Sequence, residues 1–505
     1  MRYKKYPNIL LAIKCIFFLA LSILAGNKIG YGYTIFALLE GIAIMFFAGS
    51  IKNKGVRYII NLIGSIFLGV QLLILIFGRT FLTLVMLTNL DSVEDLSGNS
   101  TLYISSAIIL IVISLLPMKK LNLKRISCSA VLSCTLCIEL VLVMCVGSSC
   151  SPLYGYISLV QQHRDQVQLQ RSLETMKASA EEFYSGGITD YYKKREDLPE
   201  KPNVVILFTE GLSQSIVNDK QGLMPNVKKY EKKSLRFKNY FNHTFATYRG
   251  LIGQLYSGYQ LNNYDTNCFV SLQDIFKGEG YNTTFINTEP NNASFTAYLE
   301  KMKFDTLFTD SEVATSQAKS ISDRVAYEKL YDLMEEKSEE EQPYLIAMYT
   351  LGTHVSFNSE DAVWGDGSDA ELNKFYNLDV QFGEFMRKFE ESQMSENTII
   401  VFTTDHCTYV DDAFNNSFPD AERVSVEVDE IPFFIYYKGM KKKTVNVVGR
   451  NSLDFAPTIC DYLDISAENY FLGRSLFEGK DSISNYNTVF NQSADYFSTR
   501  GGSVN

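Results

Sequence analysis

Apolar and polar positions along this chain follow two regimes that meet near residue 150. Upstream, Leu, Ile, Val, Phe and Ala dominate five stretches: Ile9–Gly26, Tyr31–Gly49, Tyr58–Phe77, Leu102–Met118 and Ser129–Ser148. A membrane-spanning helix needs about 20 such residues, so the pattern predicts five spans. The fourth is the shortest, and the apolar run Phe81–Leu90 could lengthen the third. Downstream, short apolar runs alternate with longer amphipathic stretches. Val204–Phe208, Thr283–Asn287, Tyr344–Thr350, Ile399–Thr403 and Pro432–Tyr437 read as strands, and Ile321–Lys337 and Glu371–Ser392 as helices. Continuously apolar strands are covered on both faces, and strand–helix alternation implies right-handed crossovers between parallel strands. The expected fold is an α-helical five-span membrane domain (1–150), a juxtamembrane linker (151–202) and an extracytoplasmic α/β domain with a mostly parallel sheet (203–505). The linker stretch Tyr156–Phe183 is weakly amphipathic, suited to a helix on the membrane surface or on the outer domain. Leu198–Pro202 breaks structure before the first strand, and the tail Ser498–Asn505 reads as frayed.

Loop charges set the orientation. Arg2, Lys4 and Lys5 precede the first span, Lys52, Lys54 and Arg57 follow the second, and Lys119, Lys120, Lys124 and Arg125 follow the fourth. The remaining loops hold only Lys28, and Arg79 beside Asp91, Glu94 and Asp95. Basic loops stay cytoplasmic, so the N-terminus is expected inside and everything past residue 150 outside. The first span lacks a small-residue cleavage site and reads as retained. Glu40 and Glu139 fall within spans and are expected to face the bundle interior, while Lys14 is expected to snorkel toward the interface. The net charge of −10 comes from the outer part and argues against a nucleic-acid partner. The nine cysteines do not form a disulfide framework, and the pair Cys134 and Cys137 inside the fifth span reads as packing rather than as a metal or redox site.

Three apolar strands end in chemistry. NVVILFTEG ends in Glu210, PYLIAMYTLGTH in His354, and NTIIVFTTDH in Asp405 and His406. In open parallel sheets, ligands bind beyond the carboxyl ends of the strands. With only four histidines in the chain, two at such ends are informative. Two carboxylates and an imidazole suit a divalent ion such as Mn or Zn. A further ligand could be a hydroxyl from Thr244 or Thr247 in FNHTFATYRGLIGQLYSG. Thr247, followed by Arg249 and an apolar helical run, is placed to attack phosphorus, with helix N–H groups and Arg249 holding phosphoryl oxygens. Each residue also has a plainer reading: Thr247 as a helix cap, Arg249 as a surface ion pair, His354 as a loop histidine, Asp405 and His406 as a turn.

These stretches resemble the alkaline-phosphatase/sulfatase superfamily. With apolar spans in front, the chain looks like its membrane-anchored transferases, the lipoteichoic acid synthases, phosphoglycerol transferases and lipid A phosphoethanolamine transferases. EIPFFIYY at 430–437, SLDFAPTICDYL at 452–463 and FLGRSLF at 471–477 are similar to the superfamily's C-terminal segment. The resemblance implies that residues 203–505 form a catalytic domain, with Glu210, Thr247, Asp405 and His406 as metal ligands for one Mn or Zn ion. It implies Thr247 as nucleophile and His354 as the group holding the phosphate or leaving oxygen. It further implies a phosphatidylglycerol or phosphatidylethanolamine donor, and an envelope glycan or glycolipid as acceptor. The chain departs from the family in places. Cys407 replaces the usual Gly after Asp-His, and no histidine follows His406. FINTEPNNASF lacks the His, Trp and Arg that hold glycerol phosphate in the teichoic acid synthases. The stretch GYNTTFINTE with YLEKMKFD is nearer the phosphoglycerol branch. A sulfatase or phosphodiesterase-type hydrolase is the second enzymatic reading, although sulfatase chemistry needs a modifiable Cys or Ser where Thr247 stands. A third is a non-catalytic, membrane-tethered glycan-binding protein.

The loop charges make a direct prediction. Reporter fusions at Gly55 and Lys120 should read cytoplasmic and fusions at Asp95 and Asn505 external; an external signal at Lys120 would refute the orientation.

Overall fold

The computed structural model describes all residues except 1–5, 79, 83–85, 88–99, 119, 121–126, 176–197, 258–269, 310–319, 356, 360, 422–427, 470, 472, 478–487, 490–496 and 499–505. The acidic loop at 91–95 and most of the frayed-tail stretch lie outside the described residues. The chain divides into two compact units, one covering Met1–Asp165 and one covering Gln166–Asn491.

The first unit holds α1 (Tyr6–Ile29), α2 (Tyr31–Ser50), α3 (Lys54–Gly78), α4 (Ser100–Ser114), α5 (Cys128–Val146) and the start of α6 (Pro152–Thr175), whose residues from Gln166 on belong to the second. Three of these helices, α1 to α3, are long and apolar enough to cross a membrane; the apolar segments of α4 and α5, Thr101–Ser114 and Ser129–Cys145, are shorter. Glu40 is buried, as expected, and it caps α6. The Ser151 hydroxyl donates to its carboxylate at 2.6 Å and the Leu153 amide at 3.0 Å. Lys14 departs from expectation. It does not snorkel but is 5% exposed, and its ammonium donates to the Ser114 carbonyl at 3.0 Å. Cys134 and Cys137 are free thiols on the outside of α5 rather than packed inside the bundle.

The second unit is built on an eight-stranded sheet. Its strands are β1 (Asn203–Thr209), β2 (Leu235–Phe241), β3 (Asn282–Asn287), β4 (Thr306–Thr309), β5 (Tyr344–Thr350), β6 (Thr398–Thr404), β7 (Phe434–Tyr436) and β8 (Lys443–Asn451). They lie in the order β4-β3-β5-β1-β6-β7-β2-β8. All pairings are parallel except those of β7, which runs antiparallel to both β6 and β2. The five strands expected from the sequence are present; β2, β4 and β8 are additional. Every residue of β1 is buried. Its side chains alternate between two cores, Val204, Ile206 and Phe208 on one face and Val205 and Leu207 on the other.

Five helices of this unit matter below: α7 (Pro225–Lys233), α8 (Thr247–Tyr256), α9 (Asp323–Ser338), α10 (Ala370–Glu391) and α11 (Phe455–Tyr462). Asp379 of α10 starts α7, accepting from the Val227 amide at 2.7 Å and the Asn226 amide at 3.0 Å. Helix α8 rests directly on the end of β6. Gln254 donates to the Thr404 carbonyl at 2.9 Å. Gly250 faces the Asp405 backbone so closely that a Cβ there would sit 2.3 Å from the Asp405 carbonyl oxygen.

That contact sets the height of α8 above the sheet. Gly250→Ala should cost about 1–3 kcal/mol through overpacking and lower the melting temperature of the full-length protein by several degrees in calorimetry. Gly278→Ala, where a Cβ meets nothing within 4 Å, serves as the control. Equal melting of the two variants would show that the helix has room to retreat.

Candidate metal and nucleophile site

Strand β1 lies between β5 and β6, in register Thr209↔Thr350 and Thr209↔Thr404. The residues just past these ends therefore converge. The Glu210 amide donates to the Thr350 carbonyl at 3.1 Å, and the Asp405 amide to the Thr209 carbonyl at 3.1 Å. Gly211, at φ +44°, turns the chain and lets its own amide donate to Asp405 Oδ1 at 2.9 Å. His406 donates its amide to the same oxygen at 2.7 Å. Thr404 ties the layer together, donating to the Thr209 carbonyl at 2.7 Å and accepting from the Leu212 amide at 3.0 Å.

Glu210, Asp405 and His406 are all buried, and their ligand-type atoms lie within 4.8 Å of one another. His406 Nδ1 donates to the Cys407 carbonyl at 2.7 Å. This points Nε2 at the carboxylates, 3.4 Å from Glu210 Oε1 and 3.5 Å from Asp405 Oδ2. Such a backbone bond is the usual way a ligating imidazole is oriented. The other Glu210 oxygen, Oε2, accepts from the Tyr349 hydroxyl and, at 3.1 Å, from Thr247 Oγ1. Asp405 Oδ2 is buried and has no hydrogen-bond partner among the described residues. Two carboxylates and an imidazole nitrogen crowded in this way fit a divalent cation, which would supply the charge balance that the described groups lack.

Charge coupling runs through the cluster. Burial works against the charged form of each group. For Glu210 the facing His406 and the Tyr349 hydroxyl outweigh burial and hold the carboxyl well below its usual range. Asp405 is pushed up to about 7 by burial and by the Glu210 charge. His406 is raised to about 9, because Asp405 and Glu210 outweigh burial.

Thr247 is the first residue of α8, and Ala246 occupies the cap position without a side-chain bond. The plain reading of Thr247 as a cap is therefore not what the structure shows; its hydroxyl faces Glu210. Arg249 is not a surface residue but is buried beside Tyr298, and burial lowers its guanidinium to about 10. Helix α8 is fixed at both ends by one short segment. Before it, the Ser452 hydroxyl lies 2.6 Å from His243 Nδ1, and His243 Nε2 is 3.2 Å from the Arg249 carbonyl. After it, the Ser257 hydroxyl donates to the Leu453 carbonyl at 2.6 Å. Burial drives His243 down to about 3, and with both ring nitrogens held by Ser452 and the Arg249 carbonyl it is a neutral strut. Thr244 is buried, and it is Thr247, not Thr244, that bonds Glu210.

His354 follows β5 on a tight turn, its amide donating to the Leu351 carbonyl at 3.0 Å and its Nδ1 lying 3.0 Å from the Val355 carbonyl. The turn rests on Asp323, which accepts from the Gly352 amide at 3.0 Å and whose carboxyl burial pushes up to about 7. His354 is close enough to Glu210 to favour its charged form.

Sequence reasoning missed Tyr349, Thr404, Asp323 and an aromatic surround. Phe245 stands 5.3 Å from the His406 ring and stacks on Tyr409 at 5.9 Å. Tyr248 stacks on Tyr298 at 4.6 Å and on Phe295 at 5.4 Å. Phe295 ends the stretch FINTEPNNASF, so that stretch does reach the residue beside Thr247. Only the strand register, Phe208↔Tyr349, could have flagged Tyr349.

A mostly parallel sheet with an acid–imidazole cluster and a hydroxyl at its strand ends defines an α/β fold with a candidate metal site. The family model described as Sulfatase matches residues 202–465, more than half of the chain, and the protein belongs to that family. It is distantly related to phosphoglycerol transferases. Phosphoglycerol transferase I of Xanthomonas axonopodis pv. citri (strain 306) is 24% identical over 300 residues, covering 53% of this chain and 40% of the relative. The protein of that name from Xanthomonas euvesicatoria pv. vesicatoria (strain 85-10) is 23% identical over 364 residues, covering 66% of this chain and 48% of the relative. The chain thus spans less than half the length of these curated relatives. Among solved structures, a protein in the alkaline phosphatase superfamily from Vibrio parahaemolyticus aligns with TM-score 0.50 at 20% identity, covering 61% of this chain and 78% of that one. The lipoteichoic acid synthase LtaP from Listeria monocytogenes aligns with TM-score 0.50 at 18% identity, covering 59% and 81%. Both likenesses speak to the fold.

The raised His406 predicts how metal binding responds to pH. A cation takes the neutral imidazole, so binding must displace a proton whenever the pH is below about 9. Apparent metal affinity should rise about tenfold per pH unit from 7 to 9 and more steeply below 7, where Asp405 also carries a proton. Chelator competition across pH measures this; an affinity that does not change from about pH 6 to 9 would contradict the coupling.

Proposed function

We propose that the protein is a membrane-anchored, metal-dependent phosphotransferase. It moves a phosphoglycerol headgroup from a phospholipid to a hydroxyl on an envelope glycan or glycolipid, through a phospho-threonine. The observation that carries this reading is Thr247. Its hydroxyl leads a helix with no side-chain cap and points at the buried cluster, 3.1 Å from Glu210. The relation to phosphoglycerol transferases favours glycerol phosphate over ethanolamine phosphate as the transferred group. In this reading α1 to α5 all span the bilayer, the linker runs from 151 to 202, and residues 203–505 work outside the cell membrane.

Glu210, Asp405, His406 and Thr247 would hold one Mn or Zn ion. When bound, the ion supplies Lewis acidity that favours the ionised hydroxyl and the developing phosphoryl charge. The side chains do the rest. Thr247 Oγ1 forms a bond to phosphorus as the bond from phosphorus to the diacylglycerol oxygen breaks. The threonine proton ends on that leaving oxygen, which His354 faces. Arg249 and the first turn of α8 favour the anionic phosphoryl group. An acceptor hydroxyl then attacks phosphorus, the Thr247 bond breaks, and the acceptor's proton returns to Thr247. Tyr349 keeps Glu210 Oε2 turned toward Thr247. If water replaces the acceptor, the same site acts as a phosphodiesterase.

The test is to trap the intermediate. Phosphatidylglycerol labelled in its headgroup should label Thr247 of the full-length protein, in a peptide that also contains Tyr248 and Arg249. Adding an acceptor glycan should discharge the label onto the glycan, and discharge only into water would favour the hydrolase. Thr247→Ala should abolish labelling. Label on Thr244, Ser213 or Ser257, or full turnover by Thr247→Ala, would overturn the assignment.

A further inference from the structure

The N-terminal unit holds a half-open cavity of about 250 Å³ between α1, α2 and α3. Its walls are mostly apolar, with Phe18, Ala37, Ile44 and Leu68 among them, and its one charged lining residue is Lys14. Away from the cavity, the same helices carry exposed Ile16, Ile23, Ile35 and Phe67, so the cavity sits in the part of the unit suited to hydrocarbon.

Lys14 has carbonyl partners but no counter-ion among the described residues. Its ammonium donates to the Ser114 carbonyl at 3.0 Å and approaches the Leu116 carbonyl at 3.5 Å, which leaves a third donor. Arg57, 8% exposed, donates to the Met118 carbonyl at 3.2 Å and the Ile51 carbonyl at 2.7 Å. Asn61 and Tyr58 reach the Leu116 and Leu115 carbonyls at 3.4 and 3.3 Å. Together these groups take up carbonyls at and just past the C-terminal end of α4. Carbonyls are dipoles and cancel no charge. Among the described residues neither Lys14 nor Arg57 has a carboxylate within 4 Å. In sequence, the segments that adjoin these helix ends, 1–5, 51–57 and 115–126, contain no Asp or Glu and many Lys and Arg. Cations at depth in a membrane pair with an anion or with carbonyls, or lose their proton. Here Lys14 keeps a donor with no carboxylate partner among the described residues, on the wall of an apolar cavity.

We propose that this cavity is a binding site for one anionic phospholipid of the cytoplasmic leaflet. One acyl chain fills the space lined by Ala37 and Leu68, and the phosphate meets the Lys14 ammonium on the cavity wall. The lipid phosphate provides the missing negative charge, and the chain fills volume that would otherwise leave the three helices underpacked. This inference rests on the reading of α1 to α3 as membrane spans and is independent of the transfer reaction at Thr247.

The experiment is native mass spectrometry of the delipidated full-length protein in detergent. Phosphatidic acid, which has no headgroup to transfer, is titrated against phosphatidylcholine with the same chains. The wild type should retain one phosphatidic acid at a lipid concentration at least tenfold lower than for phosphatidylcholine. Lys14→Gln should bring the two lipids together. Ala37→Leu, which fills the cavity and leaves the lysine, should weaken retention of phosphatidic acid by a similar factor. Thr247→Ala should retain the lipid like wild type, which separates this site from donor binding in the outer unit. Equal retention of both lipids by the wild type would overturn the proposal. So would phosphatidic acid retention that neither Lys14→Gln nor Ala37→Leu changes.

Discussion

Two carboxylates buried side by side at the ends of adjacent parallel strands govern the rest of this site. Repulsion between Glu210 and Asp405 is amplified where solvent is excluded, and the surrounding structure is arranged against it. One oxygen of Asp405 takes the amides of Gly211 and His406. One oxygen of Glu210 takes the hydroxyls of Tyr349 and Thr247. The other oxygens face the same imidazole nitrogen. The protein thus places its neutral donors on the far side of each carboxylate and leaves the near side for a cation. A site built this way tolerates substitution poorly, because removing one member strands the charge of another.

What the sequence revealed and concealed has a physical basis. Glu210, Asp405 and His406 each follow an apolar run, and in a parallel sheet a run that stops abruptly marks a strand end facing a cleft. Thr247 was legible because a hydroxyl followed by an arginine and an apolar helix stands out. Tyr349 was not, because it lies inside such a run and gains its role only from its register with β1. The missed strands were missed for a related reason. β2 mixes buried and exposed positions, and β4 is short and half-exposed at the sheet edge, so neither shows the continuous apolarity of β1, β5 and β6.

Lys14 teaches a different lesson. Its position near one end of an apolar stretch is compatible with reaching the interface along its own helix. Whether it does depends on what lies across from it, and the carbonyls at the end of α4 take its ammonium instead. Single-helix reasoning does not contain that neighbour. The same limit applies to Asp323, which reads as an ordinary residue at a helix start yet supports the turn that carries His354.

Helix α8 is held before its start and after its end by Ser452 and Leu453. These residues follow β8, which pairs with β2, the strand that leads into α8. About 200 residues of chain separate the two sides of this clamp, so closing it belongs to the slow, long-range part of folding. During synthesis, the emerging polypeptide carries Glu210 and Thr247 well before it carries the residues at 452–453 that hold α8. The seating of α8 on the sheet therefore completes late, when the segment at 452–453 docks, and a chain cut short before residue 452 would keep most of its sheet sequence and still lack the contacts that hold Thr247 in place.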